Sequence, residues 1–111
     1  MSEKFEQISL KPGFMKHNGG VMFRNISNDE YEFKSTVNEN HLNAAGITHG
    51  GYLSALVDAG AGTAAHRSAD NAPCVTISLY LPFIRSSNIV AAILVHVHIF
   101  THTKPFVFFF C

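Results

Sequence analysis

The residues of this chain best suited to chemistry lie together near its middle: Asn43, His49, Gly50 and, on the segment that follows, Asp58. After Gly50-Gly51, the residues Tyr52, Leu53, Leu56, Val57 and Ala64 recur at helical spacing, so the two glycines open a helix. A helix start carries unpaired N–H groups and a partial positive charge, which suit a carbonyl oxygen that gains negative charge during acyl transfer. Gly50 has no side chain to block such an approach. Asp58 is the only acid on that helix, and a carboxylate in mostly apolar surroundings is a stronger base than a solvated one.

Geometry constrains how these groups can meet. Nine residues separate His49 from Asp58, which places them on roughly opposite helix faces and ~13 Å apart along the axis. One helix cannot easily aim both at one carbonyl, whereas two helices packed across a two-fold axis can, so a site shared by two copies of the chain is expected. Each residue also has an ordinary structural reading. Asn43 and Gly46 are turn formers, His49 can cap the helix, and Asp58 can pair with His66 or Arg67.

The elements that must position these groups follow from periodicity and turn signals. Residues 3–10 are expected to form a short helix that Pro12-Gly13 ends. Residues 20–26 and 31–37 read as two strands joined through Ser27-Asn28-Asp29-Glu30. A polar loop over residues 38–48 then feeds the central helix. That helix is poor in charge and rich in small residues, and its Gly60 and Gly62 cost about 1 kcal/mol each relative to Ala. Close approach of a sheet or a second helix is the expected compensation, so the helix is expected to be buried. After Asp70-Asn71-Ala72-Pro73, residues 75–84, 89–101 and 106–110 read as three more strands. The whole describes an α+β fold, an antiparallel sheet wrapped on a helix.

Composition excludes several classes of function. The 111 residues fit a single domain, and an apolar fraction of 47% is ample for a core. Lys plus Arg balance Asp plus Glu at eight each, which leaves no excess charge for a nucleic acid or an anionic membrane surface. The first residues lack the apolar stretch of a signal peptide, and the longest aliphatic run, residues 89–95, is far below the ~20 needed to span a bilayer. A cytoplasmic protein is expected. Cys74 and Cys111 are read as free thiols. His96, His98 and His102 share one face of an alternating strand with no carboxylate or cysteine in the same run, so neither a metal nor another cofactor is expected.

The segment Asn43-Ala44-Ala45-Gly46-Ile47-Thr48-His49-Gly50-Gly51, followed by six residues and Asp58, resembles the active-site motif of hotdog-fold acyl-CoA thioesterases. The likeness is to the phenylacetyl-CoA / 4-hydroxybenzoyl-CoA type, and it extends from about Phe14 to Phe110. It implies that Gly50 donates its N–H to the thioester carbonyl, that Asp58 acts as nucleophile or base, and that Asn43 positions water or substrate. It further implies Thr76 as a hydroxyl near the acid, Gly51 and Arg85-Ser86-Ser87 as substrate-binding residues, an acyl-CoA substrate, and a homodimer or dimer of dimers.

Some of the pattern differs. Residues Ile89-Val90-Ala91-Ala92 hold neither the glycine nor the acids with which the family's fourth strand opens. The sequence stops at Cys111, so a final strand is expected to be missing, which would leave an apolar sheet edge. A non-catalytic hotdog module that binds an acyl chain or a partner subunit is therefore the alternative. Hotdog dehydratases pair a His with a Glu, and no Glu lies on the central helix.

Overall fold

The computed structural model describes residues 4–71, 92–98 and 107–110. Its elements are β1 (Glu6–Gln7), α1 (Phe14–His17), β2 (Met22–Ser27), β3 (Glu30–Thr36), a 3-10 turn (Glu39–His41), α2 (Gly50–Ser68), β4 (Ala92–His98) and β5 (Val107–Phe110). The strands form one antiparallel sheet in the order β1-β2-β3-β4-β5. This is the α+β hotdog arrangement, a sheet laid against one long helix.

Alternation along the strands explains which side the helix takes. Phe23 of β2, Phe33 of β3 and Val95 of β4 stand opposite one another, as do Tyr31 with Val97 and Ser35 with Ile93. These side chains share a face and are buried. The other face carries Arg24, Glu32 and His96, with Arg24 paired to Glu32 and His96 Nε2 3.2 Å from Glu30. From α2, Leu53, Leu56, Val57, Ala61 and Ala64 complete the core.

The two helix glycines have different roles. A Cβ on Gly60 would overlap the Phe33 ring, whereas a Cβ on Gly62 would meet nothing within 4 Å among the described residues. Gly60 is thus where the sheet closes on the helix, and that close packing offsets its backbone cost. The expectation of a buried helix holds for the face that carries Tyr52, Leu53, Leu56, Val57, Gly60, Ala61, Ala64 and Ala65. The opposite face, with Ser54, Ala55, Asp58, Ala59, Gly62 and Thr63, is half-buried within one chain. At its C-terminus α2 stops in a Schellman turn, in which Asp70 adopts φ 54° and the Asn71 N–H donates to His66 O at 2.8 Å.

The N-terminal expectation is corrected. Where a short helix was expected over residues 3–10, Glu6–Gln7 instead pair with Phe23 and Met22 of β2. The Gln7 side-chain oxygen accepts from Val21 N and Ser9 N, each at 3.0 Å, and Ile8 N donates to Val21 O. These tertiary bonds replace the local ones of a helix, and Pro12-Gly13 leads into α1 rather than ending a helix. Between β2 and β3 the turn is Asn28-Asp29, with Asp29 at φ 57° and an irregularity in register between Asn25 and Ser27.

Candidate active site

The loop that leads into α2 is built by Asn43. Its side-chain oxygen accepts from Ala45 N at 2.9 Å and Ile47 N at 3.3 Å, while its own N–H donates to Ile47 O at 2.8 Å. Gly46 takes φ 80°, a left-handed conformation that glycine adopts at no steric cost. Leu42 and Thr48 bridge the base of this loop. The ordinary reading of Asn43 and Gly46 as turn formers is therefore correct, and among the described residues the Asn43 Nδ2 amide donates to none.

His49 then caps the helix. Its Nδ1 accepts from the Gly51 N–H at 2.8 Å, so the ring is neutral in this bond and Nε2 carries the proton. A Cβ on Gly51 would lie 2.9 Å from that Nδ1, which is why the second glycine is needed: it leaves room for the capping ring. Tyr52 N and Leu53 N both donate to His49 O, at 3.0 and 3.2 Å. The Leu53 bond is the first i→i−4 bond of the helix. Of the four N–H groups before it, those of His49, Gly50, Gly51 and Tyr52, only that of Gly50 has no acceptor among the described residues, since His49 N donates to His41 O. The Gly50 position is only partly buried.

The ring of His41 underlies this helix start and was not singled out by sequence reasoning. It is 1% exposed and stacks on Tyr52, with centroids 3.7 Å apart and 13° between planes. Tyr52 in turn shares a short hydrogen bond with Ser35 of β3. Burial pushes the Tyr52 phenol above its ordinary value of 10.0, and the Ser35 bond pulls the other way. One signal in the sequence pointed here. Asn38 with His41 three residues later has the spacing of a capping box, which the structure confirms.

Asp58 stands half-buried on the outer face of α2. The helix is continuous from Gly50 to Ser68, so eight residues put Asp58 ~12 Å along the axis from Gly50. Asn43, His49, Gly50 and Gly51 are brought together; Asp58 is not brought to them within one chain. Arg67, offered as a partner for Asp58, pairs with Glu6 at 3.2 Å and lies over the Phe23 ring. Thr76, Arg85, Ser86, Ser87, Cys74, Cys111 and His102, like the expected strand over residues 75–84, lie outside the described residues.

A family model described as the thioesterase superfamily matches residues 45–104, which hold the helix start and Asp58. The chain belongs to the thioesterase superfamily. Among solved structures it is similar to zebra fish thioesterase superfamily member 2, at 25% identity over 84% of this chain and 67% of that one, with a TM-score of 0.73. The TT0310 protein from Thermus thermophilus is also 25% identical, over 80% and 73% of the two chains, with a TM-score of 0.68. Mouse thioesterase superfamily member 2 matches at 25% identity over 73% of this chain and 59% of that one, with a TM-score of 0.61. Among curated proteins nothing matches. No helix among the described residues is long and apolar enough to cross a membrane.

Proposed function

We propose that this chain hydrolyses acyl-CoA thioesters, with the Gly50 N–H holding the thioester oxygen of a substrate that Asp58 of a second copy attacks or hydrates. The observation that carries this reading is the Gly50 N–H, which has no acceptor among the described residues. Its neighbours on the helix are all bonded to His49, by the ring for Gly51 and by the carbonyl for Tyr52 and Leu53. One donor therefore remains at the positive end of a 19-residue helix, where an oxyanion is best stabilised.

In this reading, water adds to the thioester carbon as Asp58 takes its proton, or the carboxylate adds first and water releases the acyl group afterwards. In the first route the carbon–sulfur bond breaks as the tetrahedral adduct collapses, and the proton held by Asp58 passes to the departing coenzyme A thiolate. In the second the thiolate leaves first, taking its proton from solvent, and water then cleaves the Asp58 mixed anhydride to the free acid. The Asn43 amide, whose Nδ2 has no acceptor among the described residues, orients the water or substrate. Two copies are needed because ~12 Å of helix lies between Gly50 and Asp58. Support for a partner helix comes from the outer face of α2, where small residues flank Asp58 and where, among the described residues, a Cβ on Gly62 would have no neighbour within 4 Å. No bound cofactor enters this scheme.

Substitution of Gly50 by Pro tests it, since Pro removes the N–H yet suits the first position of a helix. His49 already has φ −64° and ψ 131°, an extended conformation that a following Pro favours. With an acyl-CoA panel followed by thiol release, Gly50→Pro should lose ~10²–10³-fold in kcat, whereas Gly50→Ala keeps the donor. Asp58→Asn should lose ~10²–10⁴-fold. Wild-type turnover in both would overturn the reading, and binding without turnover on any panel member would favour a non-catalytic acyl-binding module.

A further inference from the structure

We infer that His41 is a positioning residue for the Gly50 donor, fixing the start of α2 through both ring nitrogens, its carbonyl and its ring face; this rests on the reading of Gly50 given above. The ring's Nδ1 accepts from Asn38 N at 3.0 Å. That bond leaves the proton on Nε2, which donates to Asn18 O at 2.6 Å. His41 O accepts from His49 N at 2.7 Å, and the ring stacks on Tyr52 in the first turn of α2. Four directional contacts thus tie the turn before β2, the turn after β3 and the helix start into one unit.

Chemistry explains why a histidine suits this place. A side chain at 1% exposure that is polar at two atoms is costly unless both are bonded, and here both are. An apolar residue of similar size would fill the space and stack on Tyr52. It would leave the Asn38 N–H and Asn18 carbonyl without the ring. What the imidazole adds is orientation: with bonds at opposite ends of the ring, neither rotation about χ2 nor a slide across Tyr52 is free. Gly19 follows the contour of the ring, with φ 100° and a Cβ position 3.7 Å from Cε1.

The consequence falls on Gly50. Between the 3-10 turn and α2 the chain runs through the Asn43 loop, whose tip at Gly46 has no described residue within 4 Å of a Cβ position. The donor is therefore held from behind, by His41 O on His49 N and by the Tyr52 stack. An oxyanion donor acts only when it is placed within a fraction of an ångström, and a misplacement of ~1 Å costs about 10²-fold in rate.

His41→Phe keeps the ring and the stack but removes both nitrogen bonds; His41→Asn keeps an acceptor toward Asn38 and removes the stack. Both are assayed in the full chain for kcat, KM and backbone amide exchange. We expect a ~10–100-fold fall in kcat with KM within about twofold. Amides of Gly51, Tyr52 and Leu53 should exchange at least about tenfold faster while that of Phe33 in β3 is unchanged. A kcat within twofold of wild type, or equal acceleration of Phe33 and the helix start, overturns the inference. If His41→Phe does not fold, His41→Asn decides by the same readouts. Should the wild type hydrolyse no thioester, the reading of Gly50 fails by itself, and exchange at Gly51 to Leu53 that matches wild type would separately refute the role of His41 in fixing the helix start.

Discussion

Replacing Gly60 by Ala should destabilise this protein although alanine is the better helix former. The new methyl would overlap three atoms of the Phe33 ring. Phe33 is fully buried and stacked on Phe23 with centroids 6.4 Å apart, so it has no free direction in which to yield. Overpacking of this kind costs about 1–3 kcal/mol, and the three-atom overlap places it at the upper end. The gain in helix propensity is about 1 kcal/mol. The net loss of about 2 kcal/mol corresponds to a fall in Tm of roughly 8 °C for a domain of this size. Thermal unfolding followed by circular dichroism measures it. Combining Gly60→Ala with Phe33→Leu should recover at least about 1 kcal/mol relative to the sum of the two single changes, because the two sites touch. A Gly60→Ala protein that melts at or above wild type, or strict additivity with Phe33→Leu, would refute the argument that Gly60 is where sheet and helix meet.

Further outcomes follow from the helix start. His49→Ala removes the acceptor of the Gly51 N–H and should cost ~1 kcal/mol, seen as a lower urea midpoint with an unchanged slope. Tyr52 has its phenol raised above 10.0 by burial, so the folded state prefers the neutral form. The associated stability is fully present below pH ~10 and is lost as pH rises through the folded value. Tyr52→Phe should therefore be less stable near neutrality by ~1 kcal/mol for the lost Ser35 bond, yet decline less steeply above pH ~10. Parallel urea titrations from neutral to alkaline pH, read as the difference between the two proteins, check both parts.

Much of this architecture is legible in the residues because alternation and helical spacing leave a direct trace. β3 emerges from Tyr31 and Phe33 on alternate positions, β2 from a run of strand formers that Ser27-Asn28-Asp29-Glu30 closes, and α2 from Tyr52, Leu53, Leu56 and Val57, with Gly50-Gly51 at its start. Residues 3–10 read as a helix because nothing local shows that Gln7 will bond across to Val21, a tertiary interaction. Gly60 and Gly62 look alike in sequence, and the sheet distinguishes them by bringing the Phe33 ring against the first, while no described residue comes within 4 Å of a Cβ position at the second. His41 hides in a polar loop because its burial depends on Asn18 and Tyr52, which are distant in sequence. Asn43 shows the opposite case. Its motif spacing points to chemistry, and its Oδ1 is nevertheless spent on the turn, which leaves the amide nitrogen as the group that can meet a ligand.

In the proposed site one copy supplies the Gly50 donor and another supplies Asp58. Mixing Gly50→Pro protein with Asp58→Asn protein tests it, because each homodimer lacks one half of every site. A mixed dimer has one intact site and one that is doubly damaged. Random exchange makes about half of the dimers mixed, so thiol release should return to roughly a quarter of the wild-type rate once subunits exchange. Recovery to that level is the predicted result; a mixture that stays inactive while labelled subunits demonstrably exchange would contradict the shared site.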